Sequence, residues 1–364
     1  MNVTPIEPQS SRPTPPTDSV TANFYDVLRI FLAASVLYSH TFLLGGYGPE
    51  PFYTWSKHQI IAGELAVLGF FGLSGFLVTA SYTRSSGVFD YLAKRVRRIV
   101  PGFWVCLVVT AFVLAPASFA LRHGSLATFP WIGGHDSALQ YVAGNLAIKI
   151  HQWEILGVLS GAHYVGSLNG SLWSLWPETL CYIILATIGT ARLLDLNRAL
   201  LLIGVGFLFV LHAARTLLPG LNFPLLPTWL ILADQAPFFL AYFVGASLWL
   251  WRDRFDSNWP AALLLLLICS VLARLGGLRL LAPVLIPLLL VVLGRCTALR
   301  LRHDLSFGLY IYGFPVQQLL AATPVTRLPW PVFLVASLAA TLVCAWLSWR
   351  FVERPFLRRS PSRV

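Results

Sequence analysis

Apolar runs of about twenty residues recur along this chain, and a run of that length crosses the hydrocarbon core of a bilayer as one α-helix. The runs are continuous rather than alternating, which disfavours a membrane β-barrel. Charged residues make up only 11% of the 364 residues, well below the roughly 25% that is typical of soluble domains. The sequence therefore predicts an all-α, polytopic integral membrane protein with about ten transmembrane helices. The ten predicted spans lie near 24–44, 61–81, 100–120, 172–191, 197–215, 229–249, 259–275, 278–294, 305–323 and 330–351.

The distribution of basic residues predicts the orientation of these spans. An even number of crossings places both termini on one side, and cytoplasmic loops are enriched in Lys and Arg. If both termini are cytoplasmic, eighteen of the 26 Lys and Arg residues lie on that side, seven lie outside, and Arg29 lies within the membrane. We therefore predict an N-in and C-in topology. The same asymmetry explains the net charge of +11 without nucleic acid as a partner.

The segments outside the spans divide the chain into three predicted parts. Residues 1–20 are rich in Pro, Ser and Thr and lack apolar periodicity, which predicts a disordered cytoplasmic tail. Residues 21–356 form the predicted membrane domain, and residues 357–364 form a short basic cytoplasmic tail. The long stretch 122–170 is predicted to lie outside, and segments of that length are usually functional.

An arginine and a histidine lie inside the first apolar run, FYDVLRIFLAASVLYSHTFLL. Arg29 and His40 are eleven residues apart, so one helix face carries both, about 16 Å apart along the axis. Ionisable groups within a membrane are costly unless they face a cavity or a partner, which makes this pair a candidate functional site. Glu64, at the outer end of the second span, is predicted to reach the depth of His40 in an antiparallel hairpin.

Four cations occupy five positions in YLAKRVRRIVPGFW, at the cytoplasmic boundary of the third span. Arg95 and Arg98 share a helix face through their i,i+3 spacing. Two interpretations stay open for this cluster. It is either a topological anchor on lipid phosphates or a site for an anionic cytosolic ligand, because paired guanidinium groups suit phosphate geometry.

A tryptophan-rich block, SLNGSLWSLWPETLCY, begins the fourth span on the predicted outer side. Trp173 and Trp176 fit an interfacial aromatic belt, and they also offer flat faces that can pack against sugar rings. Glu178 stands just inside the apolar run, where the dipole of a solvated helix N-terminus would also stabilise it. The block is therefore a candidate substrate-binding region as well as an ordinary membrane boundary.

Small residues concentrate in the second span, AVLGFFGLSGFLVTA. Gly69, Gly72 and Gly75 let another helix or a substrate approach the backbone closely, and packing is the simpler role for each of them.

Neither the five cysteines nor the loop histidines have the spacing of metal ligands, so no metal site is predicted. His163, just before the tryptophan block, is the one loop histidine that we retain as a candidate.

Six sequence blocks resemble, in order, those of acyltransferase family 3, a family of integral membrane O-acyltransferases. The blocks are the pair Arg29 and His40, FFGLSGF at 70–76, Arg95 and Arg98 followed by Pro101, SLWSLWPE ending at Glu178, LSFGLYIYGFP at 305–315, and SWRFVERPF at 348–356. Each block alone is weak, but their order over almost the whole chain makes the resemblance specific. One position departs from the family pattern, because Gly313 stands where family members commonly carry a histidine.

The resemblance implies an activity and a location. Family members transfer an acyl group, usually acetyl from acetyl-CoA, to a hydroxyl of an extracytoplasmic glycan or lipid-linked saccharide. The implied location is the bacterial cytoplasmic (inner) membrane, in contact with membrane lipid. The enzyme is expected to stand alone or to work with a separate extracytoplasmic acyltransferase. By matched position, Arg29 with His40 and Arg95 with Arg98 are the essential pairs, and Glu178 is a matched acidic residue.

Acyl transfer to a hydroxyl needs a base for the alcohol proton and stabilisation of the oxyanion. We expect His40 to be that base or a transient acyl carrier, and Arg29 to orient the donor or to steady charge. Arg95 and Arg98 are expected to hold the CoA phosphates. Further candidates are Glu178 and Glu64 for catalysis and Trp173 and Trp176 for the saccharide.

Two other functions compete with the acyltransferase hypothesis. The leading alternative is a transporter or flippase of a lipid-linked saccharide, in which Arg29 and His40 line a proton or substrate path. A non-catalytic scaffold or sensor is the third, and it would leave the two intramembrane residues without a task. Release of CoA from acetyl-CoA in the presence of an acceptor separates the enzyme from both.

Overall fold

The structure is a computed structural model that describes residues 24–191, 198–218, 230–255, 257–296, 299, 301 and 303–358. Most of these residues are helical, and none of them forms a β-strand. The all-α prediction is therefore confirmed for the described part of the chain. The predicted N-terminal tail and residues 359–364 of the predicted C-terminal tail lie outside the described residues.

The α-helices follow one another along the chain with few other elements between them. They are α1 Tyr25–Gly45, α2 Pro51–Trp55, α3 Ala62–Thr83, α4 Val88–Val109, α5 Ala115–His123, α6 Ala138–Asn145, α7 Leu175–Thr190, α8 Arg198–Leu217, α9 Leu230–Leu250, α10 Trp259–Leu275, α11 Leu278–Cys296, α12 Ser306–Leu320, α13 Trp330–Ser348 and α14 Arg354–Arg358. A 3-10 helix at Gly170–Ser174 leads directly into α7. The helix α1 ends where Gly46 adopts a left-handed conformation, with φ of 72°, and donates its N–H to the carbonyl of Phe42.

Each predicted span overlaps helical residues of the structure, the third across both α4 and α5, while the count of about ten spans stays a prediction. Within the described ranges, seven helices are long and apolar enough to cross a membrane: Tyr25–Gly45, Ala62–Thr83, Val88–His123, Gly170–Thr190, Ala199–Leu217, Leu278–Cys296 and Trp330–Leu357. The remaining predicted spans correspond to α9, to the 17-residue α10 and to the 15-residue α12. These lengths and compositions indicate a multi-pass helical membrane protein. An α-helix can cross lipid because it satisfies its backbone N–H and C=O groups within one segment.

The helix α3 lies at the centre of the bundle, packed against α1, α9 and α11. Its glycines explain the closeness of that packing. A Cβ on Gly75 would overlap the backbone carbonyl of Tyr242 in α9, and a Cβ on Gly245 would overlap the carbonyl of Gly72. The small residues of the second span therefore serve helix packing, which was one of their two predicted roles.

The basic cluster at 94–98 belongs to a helix that is longer than the predicted third span. The helix α4 begins at Val88 and continues through a π-helical turn at Thr110–Leu114 into α5, so that Val88–His123 is one uninterrupted helical rod. Pro101 lies inside α4, one turn beyond the cluster. The rod carries Arg95 and Arg98 on the face that packs towards α7 and α12.

The stretch 122–170 folds back on the bundle. Its short helix α6 packs against α4, and the indole N–H of Trp104 donates to the carbonyl of Leu146 at 3.0 Å. Asn145 accepts hydrogen bonds from the backbone N–H groups of His151 and Gln152, which closes the turn after α6. This stretch ends at the 3-10 helix that positions the tryptophan block.

Candidate active site

The helix α1 carries Arg29 and His40 on one face, as their spacing predicts, and each lines a different cavity. We name these the arginine cavity and the histidine cavity. The first has about 740 Å³ of empty volume and the second about 670 Å³, in both cases including space open to solvent. The two residues thus lie on one face of α1 but line two separate cavities.

The arginine cavity brings together side chains from α1, α3, α4, α7 and α12. Its polar and charged lining residues are Arg29, Ser74, Arg95, Arg98, Ser174, Glu178, Tyr182, Ser306 and Tyr310. The structure therefore brings Arg29 to the predicted pair Arg95 and Arg98, although α1 and α4 are far apart in sequence. Three guanidinium groups around one cavity are the kind of lining that favours an anionic ligand.

An aspartate that no sequence pattern singled out connects two of these arginines. Asp304 accepts from Arg98 at 2.5 Å and from Arg29 at 3.5 Å through the same carboxylate oxygen. Its other oxygen accepts from the hydroxyl and the backbone N–H of Ser306. Burial alone would raise the pKa of Asp304, but the charges of Arg98 and Arg29 and the Ser306 hydrogen bonds hold it at about 2. The carboxylate is therefore ionised at neutral pH.

Arg98 has a second carboxylate partner in Glu353, whose Oε2 lies 3.6 Å from the guanidinium. Glu353 is buried, with 1% of its surface exposed, and it lies in the π-helical turn Trp349–Glu353 after α13. Ser348 donates to the other oxygen of Glu353 at 3.1 Å. Two carboxyl groups thus contact Arg98, which ties α4 to both the segment before α12 and the π-helical turn after α13.

Arg95 differs from Arg98 in its partners. One terminal nitrogen donates to the hydroxyl of Ser81 at 3.3 Å. Its Nε is buried and has no hydrogen-bond partner among the described residues. A buried N–H without an acceptor is costly, so this atom is suited to an acceptor that arrives with a ligand.

Glu178 lies in the arginine cavity rather than with His40. Its Oε1 accepts from Ser74 at 2.7 Å and from Tyr182 at 2.5 Å. The sequence grouped Glu178 with the tryptophans at the predicted outer end of the fourth span, whereas in the structure Trp173 lines the histidine cavity and Glu178 the arginine cavity.

The histidine cavity contains two of the other predicted residues. Its lining residues are Val36, Ser39, His40, Ile61, Gly63, Glu64, Val67, Ser171, Trp173, Phe238 and Tyr310. The prediction that Glu64 reaches the depth of His40 is consistent with this shared cavity. Trp173 packs edge-on against Phe238, with ring centroids 5.0 Å apart. The cavity therefore combines a base, a carboxyl group and an aromatic wall.

His40 is held by packing rather than by a carboxylate. Its ring meets Phe314 edge-on at a centroid distance of 4.9 Å, and its Nδ1 is buried with no hydrogen-bond partner in the described ranges. The neighbouring Ser39 donates instead to Glu50, at 2.5 Å. Burial raises the pKa of Glu50, which also accepts from the backbone N–H of Ala62 and so joins the ends of α1 and α3.

Three further sequence candidates lie outside both cavities. Trp176 is half-buried and lines neither chamber. The ring of His163 packs against Gly46, just beyond α1. Gly313 packs against Leu37 of α1, and any side chain at this position would collide with it. The missing family histidine is therefore replaced by a close contact between α12 and α1.

Sequence patterns did not single out Asp304, Glu353 or Tyr310. Asp304 follows the basic run LRLRH, and Tyr310 and Glu353 lie inside the two C-terminal blocks that resemble the family. An acidic residue in a basic cytoplasmic cluster is the signal that could have identified Asp304. Among the described residues no group of three or more His, Cys, Asp or Glu side chains could hold a metal ion.

Comparison with known proteins agrees with these blocks. A family model described as an acyltransferase domain, that of acyltransferase family 3, matches residues 23–350. The O-acetyl transferase of Shigella phage Sf6 is 30% identical over 350 residues, which cover 94% of this chain and 98% of that protein. Nodulation protein 10 of Rhizobium leguminosarum bv. viciae is 26% identical over 374 residues, which cover 94% of this chain and 95% of that protein. No solved structure gives a significant match.

Proposed function

Because this chain belongs to acyltransferase family 3 and is an acyltransferase, we propose that it transfers acetyl from acetyl-CoA to a hydroxyl of an extracytoplasmic saccharide. The acceptor class is that of O-antigens, exopolysaccharides and similar glycans. One observation carries the proposal: a single helix holds Arg29 in a cavity lined by three arginines and His40 in an adjoining cavity. Acetyl-CoA carries phosphates at one end and a reactive thioester at the other, so each cavity would receive one end of the donor.

The proposed orientation has ten crossings with both termini in the cytosol of a bacterial cell, in its inner membrane. The arginine cavity then faces the cytosol, where acetyl-CoA is made, and the histidine cavity faces the extracytoplasmic saccharide. The excess of Lys and Arg on the cytoplasmic side supports this orientation. The O-acetyl transferase name of the phage relative supports acetyl as the transferred group.

The unpaired Nε of Arg95 supports binding of the CoA phosphates in the arginine cavity. A phosphate oxygen supplies the acceptor that this buried N–H lacks, and a charge-assisted hydrogen bond is stronger than a neutral one. Arg29 completes the positive lining, while Arg98 is already paired with Asp304 and Glu353. Arg95 is therefore the principal phosphate ligand, and Arg98 is chiefly the residue that holds the cavity together.

In the proposed reaction His40 removes the proton from the acceptor hydroxyl. The alkoxide oxygen attacks the thioester carbonyl, the carbon–sulfur bond breaks, and an oxygen ester forms. The imidazolium then returns its proton to the CoA thiolate, so that the products are the acetylated saccharide and CoA. Trp173 offers a flat face for the sugar ring, and Glu64 lies in the same cavity as His40.

A purified preparation tests the catalytic role of His40. We expect His40→Ala to lower acetyl transfer, measured as CoA release with an acceptor glycan, by about 100-fold or more, because the general base is lost. His135→Ala is the matched control, since His135 is exposed in the 122–170 stretch and lines neither cavity. A correctly folded His40→Ala protein with unchanged transfer would exclude this role. Acetyl retained on His40 of the wild type would identify it as a carrier instead.

The donor site has its own test. We expect Arg95→Ala to raise the KM for acetyl-CoA about tenfold or more, because it removes a charge-assisted hydrogen bond to phosphate. Arg97→Ala is the control, since Arg97 belongs to the same basic cluster but does not line the cavity. Equal KM values for the two variants would contradict phosphate binding at Arg95. The absence of CoA release from the wild type with every acceptor would contradict the acetyl-CoA reaction itself.

A further inference from the structure

The arginine and histidine cavities are arranged end to end along the bundle. Three segments line both of them in a common order. Along α1, Arg29 lines the first cavity and His40 the second, and along α3, Ser74 lines the first and Glu64 the second. At the start of α7, Glu178 lines the first and Trp173 the second. Since each of these three segments passes from lining one cavity to lining the other, a layer of side chains separates the two cavities.

Tyr310 is part of that separating layer, because it lines both cavities, as does Val67 of α3. Its hydroxyl lies 2.6 Å from the hydroxyl of Ser174, across the gap between α12 and α7. Its ring meets Phe70 of α3 edge-on, at a centroid distance of 5.5 Å. The tyrosine is 7% exposed, so it fills the boundary between the chambers.

We infer that the Tyr310–Ser174 pair is the barrier between the two cavities and sets the size of the acyl group that passes. The inference rests on the proposed function for the identity of what passes, namely the acylated end of the pantetheine arm. The ring is held across the gap by one neutral hydrogen bond, a contact that a rotamer change can break. A two-carbon acyl group needs a small displacement of the ring, while a longer chain needs the ring to leave the layer.

Ordinary core packing is the competing explanation for a buried tyrosine. It predicts that truncation of Tyr310 loosens the bundle generally, with no particular effect on communication between the cavities. A barrier predicts a specific effect, because removal of the ring would join the chambers. The two explanations therefore differ in a measurement that does not depend on acyl transfer.

Thiol labelling in membrane vesicles makes that measurement. A cysteine introduced as Val78→Cys lies in the arginine cavity, and one introduced as Val36→Cys lies in the histidine cavity. A small, charged methanethiosulfonate is added to right-side-out or inside-out vesicles, and the modified peptide is quantified by mass spectrometry to separate it from the native cysteines. In the otherwise unchanged protein we expect each introduced cysteine to react from one face only, and from opposite faces.

Removal of the ring should change that pattern. We expect Tyr310→Ala to increase labelling of Val78→Cys from the opposite face at least about tenfold, since a closed barrier opens only in a minor state. Ser174→Ala keeps the ring and removes its hydrogen bond, so it should give a smaller increase and provides a variant with little loss of packing. Tyr312→Ala is the matched control, because Tyr312 is buried in the same helix but lines neither cavity.

Equal labelling in Tyr310→Ala and Tyr312→Ala, or no increase in Tyr310→Ala and Ser174→Ala, would overturn the barrier.

For acyl size, we expect Tyr310→Ala to raise the ratio of butyryl to acetyl transfer about tenfold, a difference typical of pockets that discriminate by methylene groups. An unchanged ratio in a variant that transfers acetyl would overturn the role in acyl size. A wild-type protein that transfers no acyl group refutes the proposed function, while the labelling still decides the barrier.

Discussion

At the scale of single residues, Asp304 determines how the arginines can act. It binds Arg98 and Arg29 through one carboxylate oxygen, so that a residue from α1 and one from α4 share an anion. Glu353 gives Arg98 a second carboxyl partner. Arg95 differs from both of these arginines, because its Nε has no hydrogen-bond partner in the described part of the chain.

We expect Asp304→Asn to lower kcat/KM for acetyl-CoA about tenfold or more. The substitution keeps the size of the side chain but leaves Arg29 without its bridge to α4, and loss of one partner of a buried charge pair is costly. The control is Asp253→Asn, because Asp253 is 79% exposed and its pair with Arg252 spans 3.8 Å, so its contribution is small. Steady-state kinetics of the purified proteins measure both, and equal effects of the two substitutions would contradict the bridging role.

At the scale of elements, the close approach of α3 and α9 organises the bundle. Gly72 and Gly75 face Tyr242 and Gly245 so closely that backbone carbonyls occupy the space of a side chain. The helix α3 also lines both cavities, so its position determines where Ser74 and Glu64 lie. Packing between small residues therefore has a direct consequence for the site.

We expect Gly75→Ala to destabilise the folded protein by about 1–3 kcal/mol, the usual effect of overpacking a core. The new methyl group would overlap the backbone carbonyl of Tyr242, which cannot move aside as a side chain can. Gly206→Ala is the matched control in α8, since a Cβ at Gly206 meets nothing within 4 Å. There alanine is the better helix former and should be neutral or stabilising. Thermal unfolding in detergent compares the two, and a Gly75→Ala protein as stable as the wild type would refute the packing argument.

The individual elements were predictable from sequence to a large extent. Each predicted span overlaps helical residues, because length and hydropathy are local properties of the chain. The beginning of α4 at Val88 was not predicted, since the polar first turns of that helix resemble a loop in hydropathy. The 3-10 helix before α7 also escaped prediction, and so did the contact of Glu178 with Ser74, because that contact depends on packing between α7 and α3.

At the scale of the whole molecule, the site consists of two chambers on one axis with Tyr310 between them. This arrangement gives the reaction a direction only if the bundle has one orientation in the membrane. The basic residues predict that orientation with the termini inside. The same rule predicts that the 122–170 stretch lies on the opposite face from the termini.

Tag accessibility tests the orientation. We expect an epitope inserted between Gly133 and Gly134, an exposed turn with positive φ angles of 80° and 77°, to bind antibody in intact spheroplasts. A C-terminal epitope should bind only after permeabilisation, because both termini are predicted to be cytoplasmic. The reverse pattern would invert the cavities and would contradict a cytosolic donor. Retained acyl transfer in both tagged proteins would establish that the tags do not disturb the fold.

The sequence by itself determined that this chain is helical and membrane-spanning, and that Arg29 and His40 share one helix face. These conclusions depend on local hydropathy and on the period of one helix, which the order of residues specifies directly. Only the tertiary structure decided which groups meet. Asp304 lies 275 residues from Arg29 and 206 from Arg98, and Tyr310 lies 136 from Ser174. Such contacts depend on how closely helices pack, which is a property of facing surfaces and not of any one segment.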